Sequence, residues 1–411
     1  MIKNFANVLM IAMMLMTTTL NAQVKTGIEV LREQGFAPLQ GKRVGLITNP
    51  TGVDSQLRST IDILAEAEGL ELVALYGPEH GVRGDYPAGE YVENQDDPRT
   101  GVPMFSLYGI TRKPTPEMLH GVDVLVYDIQ DIGSRSYTYI STLGLAMEAA
   151  AENGIEFVVL DRPNPLGGNK FEGPLVEDEF ISFVSQFPIP YVHGFTVGEL
   201  AKFLNGEKML KNGVQARLTV IEMEGWNREM TFEDTGLHWV MSSPHIPHAH
   251  SAYFYPVSGI LGELYTVNIG VGFTLPFQIF GTEWLSDAEV FAERLNKLEI
   301  PGLIFRPIHF RPYYTNMKDK RMRGVQVHIT DMQQIPLSLV QFYVLQELYA
   351  MHPEHNVFEK APDRLDMFDK VCGTDKVRKA FQQRFKVEDI LDLWTKEIPG
   401  FMEVAGKYFM Y

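Results

Sequence analysis

The sequence predicts an α/β protein, with a three-layer first domain on a mostly parallel sheet followed by a smaller α+β domain. Three observations carry that reading. Runs such as Arg43–Asn49, Leu70–Tyr76, Val122–Tyr127 and Ile155–Leu160 are dense in β-branched and apolar residues, as strands covered on both faces are. Segments with helical spacing alternate with these runs, which calls for right-handed crossovers and helices on both sides of the sheet. From about residue 250 the rhythm changes, and glycines and aromatics crowd Tyr253 to Phe280 before an end that reads as helical.

Taken in order, Gly27 to Gln34 reads as a short helix and Arg43–Asn49 as the first strand. Thr60 to Glu68 is amphipathic, with Ile61, Leu64 and Ala65 on one face. The second strand, Leu70–Tyr76, runs into Gly77-Pro-Glu-His-Gly-Val-Arg-Gly-Asp85. Residues 86–121 form a long excursion, with turn chemistry around 96–101 and a helix expected to start near Pro116. After the third strand, Tyr137 to Asn153 is a helix with Leu143, Ala146, Met147 and Ala150 at helical spacing, stopped by Gly154. The fourth strand follows, then a helix from Val197 to Leu204 capped by Thr196, a strand from Leu218 and a short extended stretch from His238. In the second domain, Ile304–Arg311 and Arg323–Thr330 are strands around a basic loop, Lys318-Asp-Lys-Arg-Met-Arg. Helices are expected at 338–351, 375–384 and 387–396. The expected units are residues 1–22 as an export signal, 23–249 as the first domain and 250–411 as the second.

Chemistry gathers at the ends of the strands. Three of them finish in polar clusters: Glu79, His80 and Arg83; then Asp128, Gln130, Asp131, Arg135 and Tyr137; then Asp161, Arg162 and Asn164. A parallel sheet brings these to one edge, where open α/β sheets bind ligands. Three glycines and a proline around Glu79 let the backbone turn sharply and approach a ligand. The plainer alternative is local: Asp131 or Ser134 caps the next helix and Arg135 pairs with Asp128. Glu172 stands in a turn setting and His193 in an extended stretch beyond the fourth strand.

Composition narrows the classes. With 36 basic against 52 acidic residues, a net charge of −16 argues against nucleic acid or an anionic membrane surface as partner. Hydrophobic content of 45% without long charge runs argues for large packed cores rather than disorder. Cys372 stands alone in an apolar-periodic setting, so it reads as a small buried residue. His245, His248 and His250 lie in a stretch made extended by Pro244 and Pro247, unlike the fixed offsets of metal-binding histidines, so no metal is expected. No Gly-x-Gly-x-x-Gly or Walker A pattern follows a strand, and no cofactor is expected. Lys3, the apolar run Val8–Met16 and Leu20-Asn-Ala22 form an export signal, so the protein is expected outside the cytoplasm, periplasmic or secreted, without a membrane anchor after cleavage.

Several motifs in one order resemble a known family: Gly77-Pro-Glu-His-Gly, Ser106-Leu-Tyr-Gly, Asp128-Ile-Gln-Asp-Ile-Gly-Ser-Arg, Tyr137-Thr-Tyr-Ile, Leu160-Asp-Arg-Pro-Asn-Pro, Glu172-Gly-Pro and His193-Gly-Phe-Thr-Val-Gly-Glu-Leu. They are similar to the exo-β-N-acetylmuramidases of the NamZ type, over essentially the whole chain after residue 22. The resemblance implies a Rossmann-like first domain with an active-site cleft against the second. It also implies release of N-acetylmuramic acid from the non-reducing end of peptidoglycan fragments. One stretch departs: where the family reads Glu-Gly-Thr-Asn-Val-Ser-Glu-Gly-Arg-Gly-Thr, this chain has Glu263-Leu-Tyr-Thr-Val-Asn-Ile-Gly-Val-Gly-Phe273. Glu263 is kept, while Thr266, Ile269 and Val271 replace an asparagine, a glutamate and an arginine.

Hydrolysing a glycosidic bond takes two carboxyl groups, an acid and a base or nucleophile. Glu79 is the candidate acid and Glu172 its partner, with Asp128, Asp131 and Asp161 as substitutes. Arg135 and Arg162 are candidate clamps for the lactyl carboxylate of muramic acid, and Tyr137 and Tyr139 candidates for stacking on or donating to the sugar. His80, Arg83, Gln130, Asn164, His193 and Glu263 complete the expected binding set. The alternative class is an exported, non-catalytic binding protein for cell-wall sugars or another glycan.

Overall fold

The structure, a computed structural model, describes residues 23–84 and 95–411. The expected export signal and Asp85 lie outside the described residues. The chain enters through α1 (Gly27–Glu33), where Thr26 and Glu29 close a capping box, and continues into β1 (Arg43–Thr48). Then come α2 (Thr60–Ala65), β2 (Glu71–Gly77), β3 (Gln95–Asp96), β4 (Pro103–Ser106), β5 (Val124–Asp128), α3 (Tyr139–Asn153), β6 (Glu156–Leu160), α4 (Val197–Gly206) and β7 (Arg217–Ile221). These strands form a seven-stranded sheet in the order β3-β4-β2-β1-β5-β6-β7. Only β3, at the edge, pairs antiparallel.

Strand residues alternate between faces with period two, so a strand apolar at every position feeds two cores. β5 shows this directly. Val124 and Val126 pack with Val44, Leu46, Val158 and Leu160 under α1 and α2, whereas Leu125 and Tyr127 pack with Phe157 and Val159 under α3 and α4. A Cβ added at Gly144, in the middle of α3, would sit 2.1 Å from Cζ of Phe187, so glycine is required there for the ring to fit. Gly154 ends that helix with φ of 68°. Thr196 caps α4 by accepting from the amide of Glu199, which returns the bond to the Thr196 amide.

The second half builds α5 (Ala249–Gly262), β8 (Ile279–Thr282), α6 (Ala288–Asn296), β9 (Leu303–Phe310) and β10 (Met322–Ile329), then α7 (Val340–Met351), α8 (Leu365–Cys372), α9 (Lys376–Arg384), α10 (Leu391–Thr395) and α11 (Ile398–Ala405). Its strands form a three-stranded antiparallel sheet in the order β8-β10-β9. The larger apolar cluster continues from the first sheet's α3 face through α5 to the terminal helices.

The chain differs from expectation in several elements. The stretch after Pro116 is a set of turns rather than a helix, and no strand forms at 238–241. The strand β4, which lies between β3 and β2, and the helices α6 and α8 were not foreseen. Nor was α5, which keeps Pro256 inside it. A proline there removes one helical hydrogen bond, but ten of the fourteen helix residues are buried, so packing rather than local propensity fixes the helix. Among the described residues no helix is long and apolar enough to cross a membrane.

Candidate active site

A cavity of about 700 Å³ opens between the carboxyl-end loops of the parallel sheet and the segments that follow α5. It is within the size range of small-ligand pockets. One wall begins where β2 ends. A Cβ at Gly77 would lie 2.7 Å from the amide nitrogen of Val82, and the backbone reverses through positive φ at His80 (73°) and Gly81 (75°), which presents Glu79 and His80 to the cavity. Tyr108, just beyond β4, hydrogen-bonds Glu79 through its side chain. Burial first, and then the Glu79 charge, push its phenol up to about 12, so it stays protonated.

The second wall is Ser136 to Tyr139, which leads into α3. The Tyr137 hydroxyl donates to Oγ of Ser242 at 2.9 Å and the Tyr139 hydroxyl to its carbonyl at 2.5 Å. Oγ of Ser136 lies 3.1 Å from the hydroxyl of Tyr255 on α5. The Tyr137 ring stands edge-on to Tyr139 and Tyr255, at 4.8 and 5.6 Å between centroids. Burial pushes the Tyr137 phenol up to about 12, which keeps it a donor at neutral pH.

The third wall comes from the end of α5 and the loop behind it. The Glu263 carboxylate meets a guanidinium nitrogen of Arg364 at 2.8 Å, and Arg364 also donates to the Glu263 carbonyl at 2.8 Å. Burial raises the Glu263 carboxyl above the ordinary range, and the Arg364 charge opposes it. Ile269 and Val271 line the cavity, so two of the departures from the family pattern give it apolar wall. Gly270 between them has φ of 87°, and a Cβ there would fall 1.9 Å from the Leu275 carbonyl, so the loop depends on glycine. His245 reaches the rim with Nε2 2.8 Å from the hydroxyl of Tyr314, and burial lowers its imidazole.

Of the expected site residues, Glu79, His80, Tyr137 and Glu263 come together here, and Tyr139 with them. The others are at the sheet edge or near it, but spend their groups on the protein. Arg83 holds Asp97 at 2.7 Å. Arg162 binds the buried Asp128 at 2.5 and 3.0 Å, which engages both candidate groups with each other. Gln130 donates to the carbonyls of Asp131 and Pro163. Asp131 accepts from the Gly133 amide at 2.7 Å and lies 3.2 Å from Nε2 of His193. Asn164 closes a turn to Leu166 and donates to the Phe195 carbonyl. Asp161 accepts from Thr196, Gly198 and Tyr411.

Two placements correct the expected roles. Arg135 is fully buried, and its guanidinium donates to the carbonyls of Pro174, Ile189, Val371 and Cys372 and to Ser185, which uses all the reach a lactyl clamp would need. The Glu172 carboxylate accepts from the amides of Leu337 and Ser338 and from the Ser338 hydroxyl at 2.7 Å. It does not line the cavity, and the carboxyl that accompanies Glu79 there is Glu263. Sequence reasoning passed over Ser136, Tyr108, Ser243, Tyr255 and Asn268. Tyr108 had a signal, since it sits in the Ser106-Leu-Tyr-Gly motif, whereas Tyr255 was hidden by the unread helix. His248 and His250 fall at the start of α5, and no group of three or more His, Cys, Asp or Glu side chains is placed to hold a metal among the described residues.

Comparison with known proteins gives a consistent picture. Residues 44–250 match the model of the N-terminal part of exo-β-N-acetylmuramidase NamZ, and residues 253–411 match that of its C-terminal part. The chain is 43% identical over 394 residues to the peptidoglycan β-N-acetylmuramidase NamZ of Bacillus subtilis, covering 96% of this chain and 93% of that protein. Its fold is similar to two crystal structures of DUF1343 family proteins from Bacteroides fragilis. One has a TM-score of 0.91 at 59% identity over 95% of this chain and 99% of that one. The other has a TM-score of 0.76 at 27% identity, with the same coverage. With both halves matched in order and nearly the full length covered, the chain belongs to the exo-β-N-acetylmuramidase family of the NamZ type.

Proposed function

We propose that the protein is an exported glycoside hydrolase that releases N-acetylmuramic acid from the non-reducing end of peptidoglycan fragments, with Glu79 and Glu263 as its catalytic carboxyls. The observation that carries this is the pair itself: two glutamates, from separate halves of the chain, line one cavity whose other walls mix tyrosines and small polar side chains with apolar ones such as Ile246, Ile269 and Val271. Glycoside hydrolysis needs such a pair, one group to protonate the leaving oxygen and one to act as base or nucleophile. Glu79, presented to the cavity by the tight turn after β2, is assigned the acid role. Glu263, whose carboxyl burial raises while the Arg364 charge holds it down, is assigned the other. Tyr137 and Tyr139 give the sugar an aromatic wall. The export half of the proposal rests on Lys3, the apolar run at 8–16 and Ala22.

The deciding experiment is release of free N-acetylmuramic acid from a β-linked muramic acid–glucosamine disaccharide by purified protein lacking residues 1–22. Turnover that falls by about 10²–10⁴-fold in Glu79→Gln, with the fold retained, is the expected result, being the usual contribution of a general acid. Saturable binding without release would favour the other reading, a glycan-binding protein whose cavity the apolar Ile269 and Val271 have redirected.

A further inference from the structure

Beside the main cavity lies a second, of about 380 Å³, lined by Tyr265, Thr266, Trp284, Lys320, His355 and Lys360 among others. The two are neighbours in a literal sense, since Tyr265, Asn316 and Met317 line both. Tyr265 stands at the junction, 56% exposed, with φ of 53° and the Arg364 guanidinium 4.4 Å from its ring centroid. A bulky residue held in the left-handed region is unusual, and here the aromatic side chain lines both cavities.

The second cavity is unlike the rest of this acidic chain. The basic segment Lys318-Asp-Lys-Arg-Met-Arg runs beside it and contributes Lys320. Lys320 is matched by Glu283 at 2.9 Å. Lys360 is exposed and has no ion pair among the described residues, so its charge is open to a ligand. Trp284 and His355 stack at 4.5 Å with 7° between their planes, which stiffens the wall beside it. The hydroxyl oxygen of Thr266, in the stretch that departs from the family pattern, is buried without a hydrogen-bond partner among the described residues. A stacked aromatic wall, an uncommitted ammonium and three lining residues shared with the catalytic cavity describe a site for an anionic continuation of the same substrate.

We infer that the second cavity is a leaving-side subsite that holds a carboxylate-bearing sugar beyond the bond being cut, with Lys360 as the cation and Tyr265 as the platform between subsites. The inference rests on the hydrolase reading above. In an alternating glucosamine–muramic acid chain, the sugar two places beyond the scissile bond is again muramic acid. Its carboxylate comes either from the lactyl group itself or from a peptide attached to it.

The test compares a peptide-free disaccharide, a peptide-free tetrasaccharide and a peptide-bearing tetrasaccharide, on wild type, Lys360→Ala and Lys360→Glu. The expected result is that the ratio of KM for tetrasaccharide to KM for disaccharide rises about tenfold in Lys360→Glu and less in Lys360→Ala, with kcat moving little. A rise already present for the peptide-free tetrasaccharide assigns the lactyl carboxylate, and a rise confined to the peptide-bearing one assigns the peptide. Equal changes on disaccharide and tetrasaccharide, or no change on any of them, would overturn the subsite. If wild type releases nothing from any of the three, the hydrolase reading fails and calorimetric binding decides the subsite alone. Tighter binding of tetrasaccharide than disaccharide, weakened in Lys360→Glu, then supports it, and indifference to both chain length and variant removes it.

Discussion

At the scale of single residues, three glutamates in this chain share a name and little else. Glu79 and Glu263 face a cavity, whereas Glu172 is sealed behind the amides and hydroxyl it accepts from. Glu172→Gln is therefore expected to cost about 1–3 kcal/mol of stability, because an amide nitrogen would face donors, while kcat stays within about threefold. A urea titration beside steady-state kinetics checks both, and a kinetic loss like that of Glu79→Gln without loss of stability would restore Glu172 to the mechanism. Glu263 gives a pH prediction. Burial raises its carboxyl and Arg364 holds it down, so Arg364→Met removes the opposing charge and raises it further. A group that works ionised gains activity as pH climbs through its pKa, so the acid limb of the kcat/KM profile should move to higher pH. At a fixed pH on that limb, activity falls roughly tenfold for each pH unit the limb moves upward. Arg364→Lys should keep most of the wild-type profile, and an acid limb that stays put in Arg364→Met would take Glu263 out of the titrating role. That Glu79 would be presented at a strand end was readable before the fold was known, because the glycines and proline around it force a sharp turn there. Glu263 was readable only as part of a motif, since its partner Arg364 lies about a hundred positions away in sequence.

At the scale of elements, the strand-end residues gather where the pattern placed them, and their polar groups are bonded within the protein. The carboxyl edge of the parallel sheet does gather Asp128, Asp131, Asp161, Arg162 and Asn164, but these bond to one another and to loop backbone, as the buried Asp128–Arg162 pair shows. They form the floor that fixes the loops, and the loops carry the site. Strand patterning reports where polar residues surface. It does not report whether a neighbouring loop will claim them first, because that depends on contacts such as Gln130 to Pro163 that no local period encodes. Arg135 is the sharpest case. It precedes Ser136–Tyr139, the wall of the cavity, and ties that wall to the carbonyls at 174 and 189 and to the end of α8. The charge has carbonyls around it instead of a carboxylate, and burial pulls the guanidinium down to about 10. Removing it would orphan four buried carbonyls, so Arg135→Met is expected to cost about 3–5 kcal/mol, comparable with breaking a buried ion pair. Arg135→Lys, with three donors for five acceptors, should cost less but still destabilise. Chemical denaturation measures both. If Arg135→Lys instead keeps full stability and loses only affinity for muramic acid, the guanidinium is a ligand group after all.

At the scale of the whole molecule, the last residues of the chain return to the first sheet. Arg228 lies 3.6 Å from the ring centroid of Phe409 and pairs with Glu199 on α4, whose carboxylate also accepts from the Met410 amide at 3.0 Å. The hydroxyl of Tyr411 accepts from the Met223 amide at 2.8 Å and donates to Asp161 at 2.7 Å. The C-terminus is thereby anchored at the end of β6, beneath the same strand edge that supports the site. Asp161 is fully buried and accepts four bonds, from Arg162, Gly198, Thr196 and Tyr411. Burial nevertheless outweighs them and pushes its carboxyl up to about 7. The native state then binds more protons than the unfolded chain between about pH 4 and pH 7. This group's contribution is accordingly largest at low pH and is lost as pH rises through 7. Tyr411→Phe removes a donor that favours the carboxylate, so its cost must depend on pH. At pH 8, where Asp161 is ionised, the lost bond is to a charge and should cost about 1.5–3 kcal/mol. At pH 5, where it is protonated, the loss should be about 0.5–1.5 kcal/mol. Urea midpoints of wild type and Tyr411→Phe at the two pH values, with unchanged m, measure the difference directly. A larger cost at pH 8 shows that the tail clamps an acid that titrates near neutrality. The same cost at both would mean that Asp161 keeps one protonation state throughout, and that the tail is held by its packing against α4 rather than by a charge.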